Sequence, residues 1–182
     1  MVKFRIENIV ASTSLAAELD LPSISLALEG CEYEPEQFPG AIWRLKVPKT
    51  ALLLFRSGKV VCTGGKSQAD VEKAIQAVSK EIRRTGQRIT SKPEIVVQNI
   101  VASSDLGSEI DLNEIAVTMG LEHVEYEPEQ FPGLVYRMED PRTVILLFGS
   151  GKLVCTGAKR LSDVERAVKK IDKELRAAGL LR

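Results

Sequence analysis

The chain has 182 residues, 44% of them hydrophobic and 27% charged, proportions that exclude a disordered or fibrous polymer and fit a folded globular protein. Its 25 basic and 25 acidic residues cancel, which argues against a broad polyanion-binding surface but leaves room for a local basic rim. No apolar run approaches the roughly 20 residues of a membrane span, and the start MVKFRIENIV lacks a signal-peptide core, so a soluble intracellular protein is expected.

Along the chain, Phe4–Val10 reads as a strand rich in Ile and Val, and Asp20 as the N-cap of a helix carrying Ile24 and Leu28. Ala41–Val47 is a strand broken by Pro48. Thr50–Phe55 follows, then a turn at Ser57–Gly58 and a short strand carrying VCTG. Val71, Ile75, Val78 and Ile82 line one face of a longer helix that ends at Gly86. Thr85–Pro93, TGQRITSKP, has the breakers and polar residues of a junction. The same order then repeats. Glu94–Val101 is a strand, and Asp111 caps a helix with Ile115 and Met119, with Glu114 placed as in a capping box. Leu134–Met138 stops before Pro141, Thr143–Phe148 leads to Ser150–Gly151 and a second VCTG strand, and Val164, Val168, Ile171 and Leu175 line a helix ending at Gly179.

The repetition extends to identity. YEPEQFPG stands at Tyr33–Gly40 and again at Tyr126–Gly133; LFRSGKVVCTGGK (Leu54–Lys66) matches LFGSGKLVCTGAK (Leu147–Lys159), and IENIVAS matches VQNIVAS. The second copy carries two extra residues between Ser103 and Tyr126. A duplicated domain with pseudo-twofold symmetry follows, with repeats at 1–90 and 91–182. The pattern is α+β, antiparallel hairpins with helices gathered on one side. It leaves an apolar surplus. Leu52 and Leu54 alternate with Ala51, Leu53 and Phe55, and Ile145 and Leu147 with Val144, Leu146 and Phe148, so both strand faces are apolar and one lacks cover within the chain. Such a face is either a binding surface or the buried face of a sandwich or dimer.

The doubled E-P-E-x-F-P-G, L-x-F-x-S-G-K and V-x-T-G-x-K segments, with Asn in the first strand of each repeat, resemble the TATA-box-binding protein family over essentially the whole chain. Neutral charge resembles its archaeal members more than its basic eukaryotic ones. The resemblance implies one curved, ten-stranded antiparallel sheet, a saddle with four helices on the convex side and a concave face for the DNA minor groove. Apolar wedges between base steps are a known device of minor-groove binders, this family among them. They map here to Phe38, Phe55, Phe131 and Phe148, four of the five phenylalanines. Asn8, Asn99, Thr63 and Thr156 interrupt apolar faces and suit the adenine N3 and thymine O2 acceptors of A·T pairs, while Val10, Val101, Val61, Val154, Leu53 and Leu146 would press on the groove floor. Arg44, Arg137, Lys59, Lys152, Lys66 and Lys159 occupy matching positions from which phosphates are in reach. The family often has a basic residue just before the first wedge; Gln37 and Gln130 depart from that.

The resemblance further implies a non-catalytic, promoter-binding initiation factor in an archaeal cytoplasm, associated with the nucleoid. Its partners would be double-stranded TATA-box DNA, transcription factor B at Glu127 and Glu129, and RNA polymerase indirectly, with no membrane role and weak self-association without DNA. Because Glu34 and Glu36 are identical to Glu127 and Glu129, the loop itself gives no reason for a partner to prefer one copy. Cys31, Cys62 and Cys155 read as small core residues, and a lone His123 supplies neither a metal site nor a His-based relay, so no cofactor, metal or enzyme chemistry is expected. The alternative is a protein-interaction module burying its apolar sheet face against a partner chain.

Overall fold

The computed structural model describes residues 3–120 and 122–181. The first repeat runs β1 (Phe4–Ser14), α1 (Leu21–Ala27), β2 (Ala41–Leu45), β3 (Thr50–Leu54), β4 (Lys59–Gly65) and α2 (Gln68–Arg84). The second runs β5 (Val96–Asp105), α3 (Leu112–Met119), β6 (Val124–Glu125), β7 (Leu134–Met138), β8 (Thr143–Leu147), β9 (Lys152–Ala158) and α4 (Leu161–Ala177). The strands form one open antiparallel sheet in the order β2-β3-β4-β1-β5-β9-β8-β7-β6.

Local signals account for the helix boundaries. The Asp20 carboxylate accepts the Ser23 N–H at 3.2 Å, and Asp111 accepts that of Glu114 at 3.2 Å, so both short helices start at their expected caps. Ser67 does the same for α2 through the Asp70 N–H at 3.1 Å. Beyond the long helices, Gly86 and Gly179 take left-handed φ values of 90° and 75°, which a side chain would resist. Val71, Ile75, Val78 and Ile82 of α2, like Val164, Val168, Ile171 and Leu175 of α4, are fully buried. Each such side chain contributes about 1.5–3 kcal/mol by leaving water.

Two departures from the sequence reading have physical causes. β1 continues through Ala11, Ser12, Thr13 and Ser14, of which only Thr13 favours a strand, because each pairs with β4 from Cys62 to Lys59. Among the described residues the sheet has nine strands rather than ten. In the second repeat β6 pairs Val124 with Tyr136 and Glu125 with Val135, and the preceding His123 carbonyl accepts the Arg137 N–H at 2.7 Å. In the first repeat only Glu32 makes the equivalent contact, exchanging both hydrogen bonds with Ile42. Cys31, which matches Val124 at the repeat spacing of 93, does not pair, and the tenth strand is reduced to this single bridge.

The chain divides into two compact units that do not follow the sequence repeats strictly: Met1–Glu7 with Asn99–Arg182, and Asn8–Gln98. Both cuts fall inside the matching strands β1 and β5. In the first unit Ser103 Oγ donates to Glu7 at 3.0 Å, and Ser104 Oγ donates to the Lys3 carbonyl. In the second, Gln98 Nε2 donates to Ser12 Oγ at 2.9 Å and Thr13 Oγ1 to the Glu94 carbonyl at 2.7 Å.

Within each unit the sheet has a buried and a half-exposed face. Ile9, Ala11, Leu52, Leu54, Val60 and Cys62 are buried, as are their counterparts Ile100, Ala102, Ile145, Leu147, Leu153 and Cys155. Burial pushes the Cys62 thiol up to about 11, helped by nearby Asp70, and burial pushes Cys155 up to about 11 as well, so both stay protonated and inert.

Candidate nucleic-acid interface

The half-exposed face is built in cross-strand rows. In the N-terminal repeat, Arg44, Ala51 and Thr63 stand opposite one another, as do Ile42, Leu53, Val61 and Ser12. In the C-terminal repeat the rows are Arg137, Val144, Thr156 and Val135, Leu146, Val154, Ser103. Directly opposed residues point to the same side of a sheet, so the apolar side chains and threonines expected at the groove share one face. Val10 and Val101 lie where the register shifts, between Ile9 and Ala11 and between Ile100 and Ala102, and both are half-exposed. A bulge of this kind re-aims a side chain, and here it brings Asn8 and Asn99 beside the threonines.

The asparagines are held in one orientation. Asn8 Oδ1 accepts the Gly64 N–H at 2.6 Å and Nδ2 donates to Thr63 Oγ1 at 3.3 Å. Asn99 repeats this with Gly157 at 2.6 Å and Thr156 at 3.1 Å. Because a backbone N–H can only donate, it fixes which end of each amide is oxygen. Each NH₂ group therefore turns towards its threonine with one proton and has a second that this contact does not use. Gly64 and Gly157 reach this geometry with φ of 97° and 95°. The motif VCTG gave no sign of the pairing, since it joins residues far apart in the chain.

The four phenylalanines come together as two pairs. Phe38 and Phe55 meet edge to face at 5.8 Å, and Phe131 and Phe148 at 5.9 Å. Phe131 is 38% exposed, and the other three are half-buried. The repeated octapeptide explains how. Glu34 O accepts the Gln37 and Phe38 N–H groups, and Glu127 O those of Gln130 and Phe131, so the acidic residue opens a tight turn that delivers the ring. The glycine closing the loop then makes room. A Cβ on Gly40 would lie 2.9 Å from Phe38 and 3.0 Å from Phe55; on Gly133 it would lie 2.6 Å from Phe131 and 3.0 Å from Phe148. Both rings rest over bare backbone. Gly133→Ala is expected to displace Phe131 and Phe148 and to weaken duplex binding by about tenfold, from a strain of order 1–3 kcal/mol. Competition binding against the parent protein checks it, and parental affinity in the variant would show that the ring position is unimportant.

The basic residues divide into two kinds. Lys59, Lys152, Lys66 and Lys159 are exposed at strand ends. Arg44 and Arg137 instead reach the neighbouring strand position, pairing with Glu32 at 3.1 Å and Glu125 at 2.6 Å. These exposed ion pairs went unread in the sequence because Glu32 and Glu125 sit on a strand that scarcely forms. Such pairs are weakly held in water, and a guanidinium can exchange its carboxylate for a phosphate. Glu34, Glu36, Glu127 and Glu129 are exposed on the two loops.

Comparison with known proteins agrees with the doubled architecture. The family model described as "Transcription factor TFIID (or TATA-binding protein, TBP)" matches residues 3–85 and again 94–178. The chain is 61% identical to the TATA-box-binding protein of Thermoplasma volcanium over 179 residues, 98% of this chain and 97% of that one. It is 60% identical to the TATA-box-binding protein of Picrophilus torridus over 181 residues, 100% of this chain and 98% of that one. The solved structure of Methanococcus jannaschii TBP superposes with a TM-score of 0.89 at 51% identity, covering 96% of this chain and 99% of the other.

Proposed function

The chain belongs to the TATA-binding protein family, a family of non-catalytic transcription factors, and on that footing we propose that it binds A·T-rich promoter duplex through the minor groove, bends it, and recruits transcription factor B and, through it, RNA polymerase. The observation that carries the groove reading is the locked amide of Asn8 and of Asn99, each keeping a donor on the face that carries the Val and Leu rows. A·T pairs offer only acceptors there, whereas a guanine N2 amine would meet Val and Leu side chains and lose its hydrogen bond.

In this reading Phe38, Phe55, Phe131 and Phe148 wedge between base steps. Thr63 and Thr156 share in donation, and Val10, Val61, Val101, Val154, Leu53 and Leu146 press on the floor. Arg44, Arg137 and the four lysines take phosphates and position the protein without reading sequence. Glu127 and Glu129, turned away from phosphate duty by their charge, meet the partner factor. The setting is an archaeal cytoplasm at the nucleoid. A gel shift at fixed salt tests the core of this: TATA-containing duplex is expected to bind at least 10³-fold, in order of magnitude, more tightly than G·C-rich duplex. Equal, weak binding to both would instead favour a protein-interaction module.

A further inference from the structure

Identical loops cannot make a partner choose one of them, so the choice must lie in what flanks them. Each repeat has a surface hollow beside its loop tyrosine, bounded by the entry to its first helix. In the C-terminal repeat the hollow is lined by Glu109, Ile110, Asp111, Leu112, Tyr126 and Gly149 and measures about 510 Å³. The N-terminal counterpart, about 530 Å³, has Glu18, Asp20 and Tyr33 in the same places, so size does not distinguish them. Charge and cover do. Where the C-terminal repeat has Gly149, the N-terminal repeat has Arg56, whose Nε lies 3.1 Å from Glu18 Oε1. Gln87 of the junction also enters the hollow. Its Oε1 accepts the Asp20 N–H at 3.3 Å and its Nε2 donates to the Glu18 carbonyl at 3.4 Å.

We infer that Arg56 and Gln87 close the N-terminal repeat to a basic protein partner, and that Gly149 leaves the C-terminal repeat open to it. This rests on the proposed role of Glu127 and Glu129 as the partner contact. A partner presenting Lys and Arg side chains to Glu127 meets, next to Tyr126, two carboxylates with no cation from position 149. At the N-terminal loop the same approach meets a guanidinium and a side-chain amide already seated on the rim. Like charge at close range is the efficient way to exclude a wrong docking site. Gly149 accepts a side chain without strain: it lies outside the left-handed region, and a Cβ there would meet nothing nearer than Ile110 O at 3.9 Å.

The test titrates transcription factor B onto preformed complexes of the full chain with a TATA duplex. DNA affinity of each variant is measured at the same salt as a check of folding. Gly149→Arg is expected to weaken partner binding about tenfold, and Gly149→Ala less than about twofold, since only the first adds charge. Glu127→Arg tests the underlying reading and is expected to weaken binding by at least as much. The pair Arg56→Gly with Gln87→Ala opens the N-terminal hollow, and a cleavage reagent tethered to the partner is expected to mark DNA at both flanks. If Gly149→Arg binds the partner like Gly149→Ala while Glu127→Arg still loses it, the role of position 149 is overturned and the partner contact stands. If Glu127→Arg also binds normally, the partner contact itself is wrong and the inference falls with it.

Discussion

Phe148→Ala and Phe55→Ala are each expected to abolish most of the bend in a TATA duplex and to shorten the complex lifetime, while leaving the fold intact. Each ring is half of an edge-to-face pair, Phe148 with Phe131 and Phe55 with Phe38. Removing one takes away its own stacking on the opened base step and the support that holds the other upright. Opening a step costs on the order of a few kcal/mol, which the ring partly offsets. Losing that compensation corresponds to a lifetime shorter by roughly 10- to 100-fold. Stability should fall less than for a core phenylalanine, because both rings are half-exposed and lie against Gly40 and Gly133. Fluorescence energy transfer across an end-labelled duplex measures the bend, and thermal melting of the free protein measures the fold. Variants that bend DNA like the parent would make these rings structural.

Asn8→Asp and Asn99→Asp are expected to weaken duplex binding by about tenfold singly and on the order of 100-fold together, as each removes a donor worth roughly 1–3 kcal/mol of recognition. Aspartate is the informative choice. A carboxylate oxygen can still accept the Gly64 or Gly157 N–H, so the bulge geometry survives, whereas alanine would orphan that backbone group. What changes is the outward side: the one donor proton left over from the threonine contact gives way to an anion facing the negative potential of the groove. The loss should be steeper for TATA than for G·C-rich duplex. Unchanged affinity in both single variants would place these side chains away from DNA.

The doubled architecture was legible because duplication writes itself twice, and helix starts were legible because Asp20 and Asp111 cap through local contacts. The face carrying Leu53, Val61, Leu146 and Val154 followed from strand alternation. Other features depended on pairings that no local pattern encodes. The Asn8–Thr63–Gly64 contact needs a bulge between Ile9 and Ala11 and a left-handed glycine on a strand far along the chain. The Arg44–Glu32 pair needs a single bridge at Glu32, in a stretch without strand character. The octapeptide was visible as a repeat, but the demand for Gly40 and Gly133 arises only once two rings converge on one backbone position.

The division of β1 and β5 between the units bears on where the chain can be cut. Phe4–Glu7 belong with the C-terminal unit, and the residues up to Gln98 with the N-terminal one. A single repeat cut out at the Thr85–Pro93 junction would therefore carry a strand end that its own body does not use and lack one that it needs. Two copies of the same repeat would supply each other, each lending the start of its first strand. The junction is thus a place where the sequence divides but the folded chain does not.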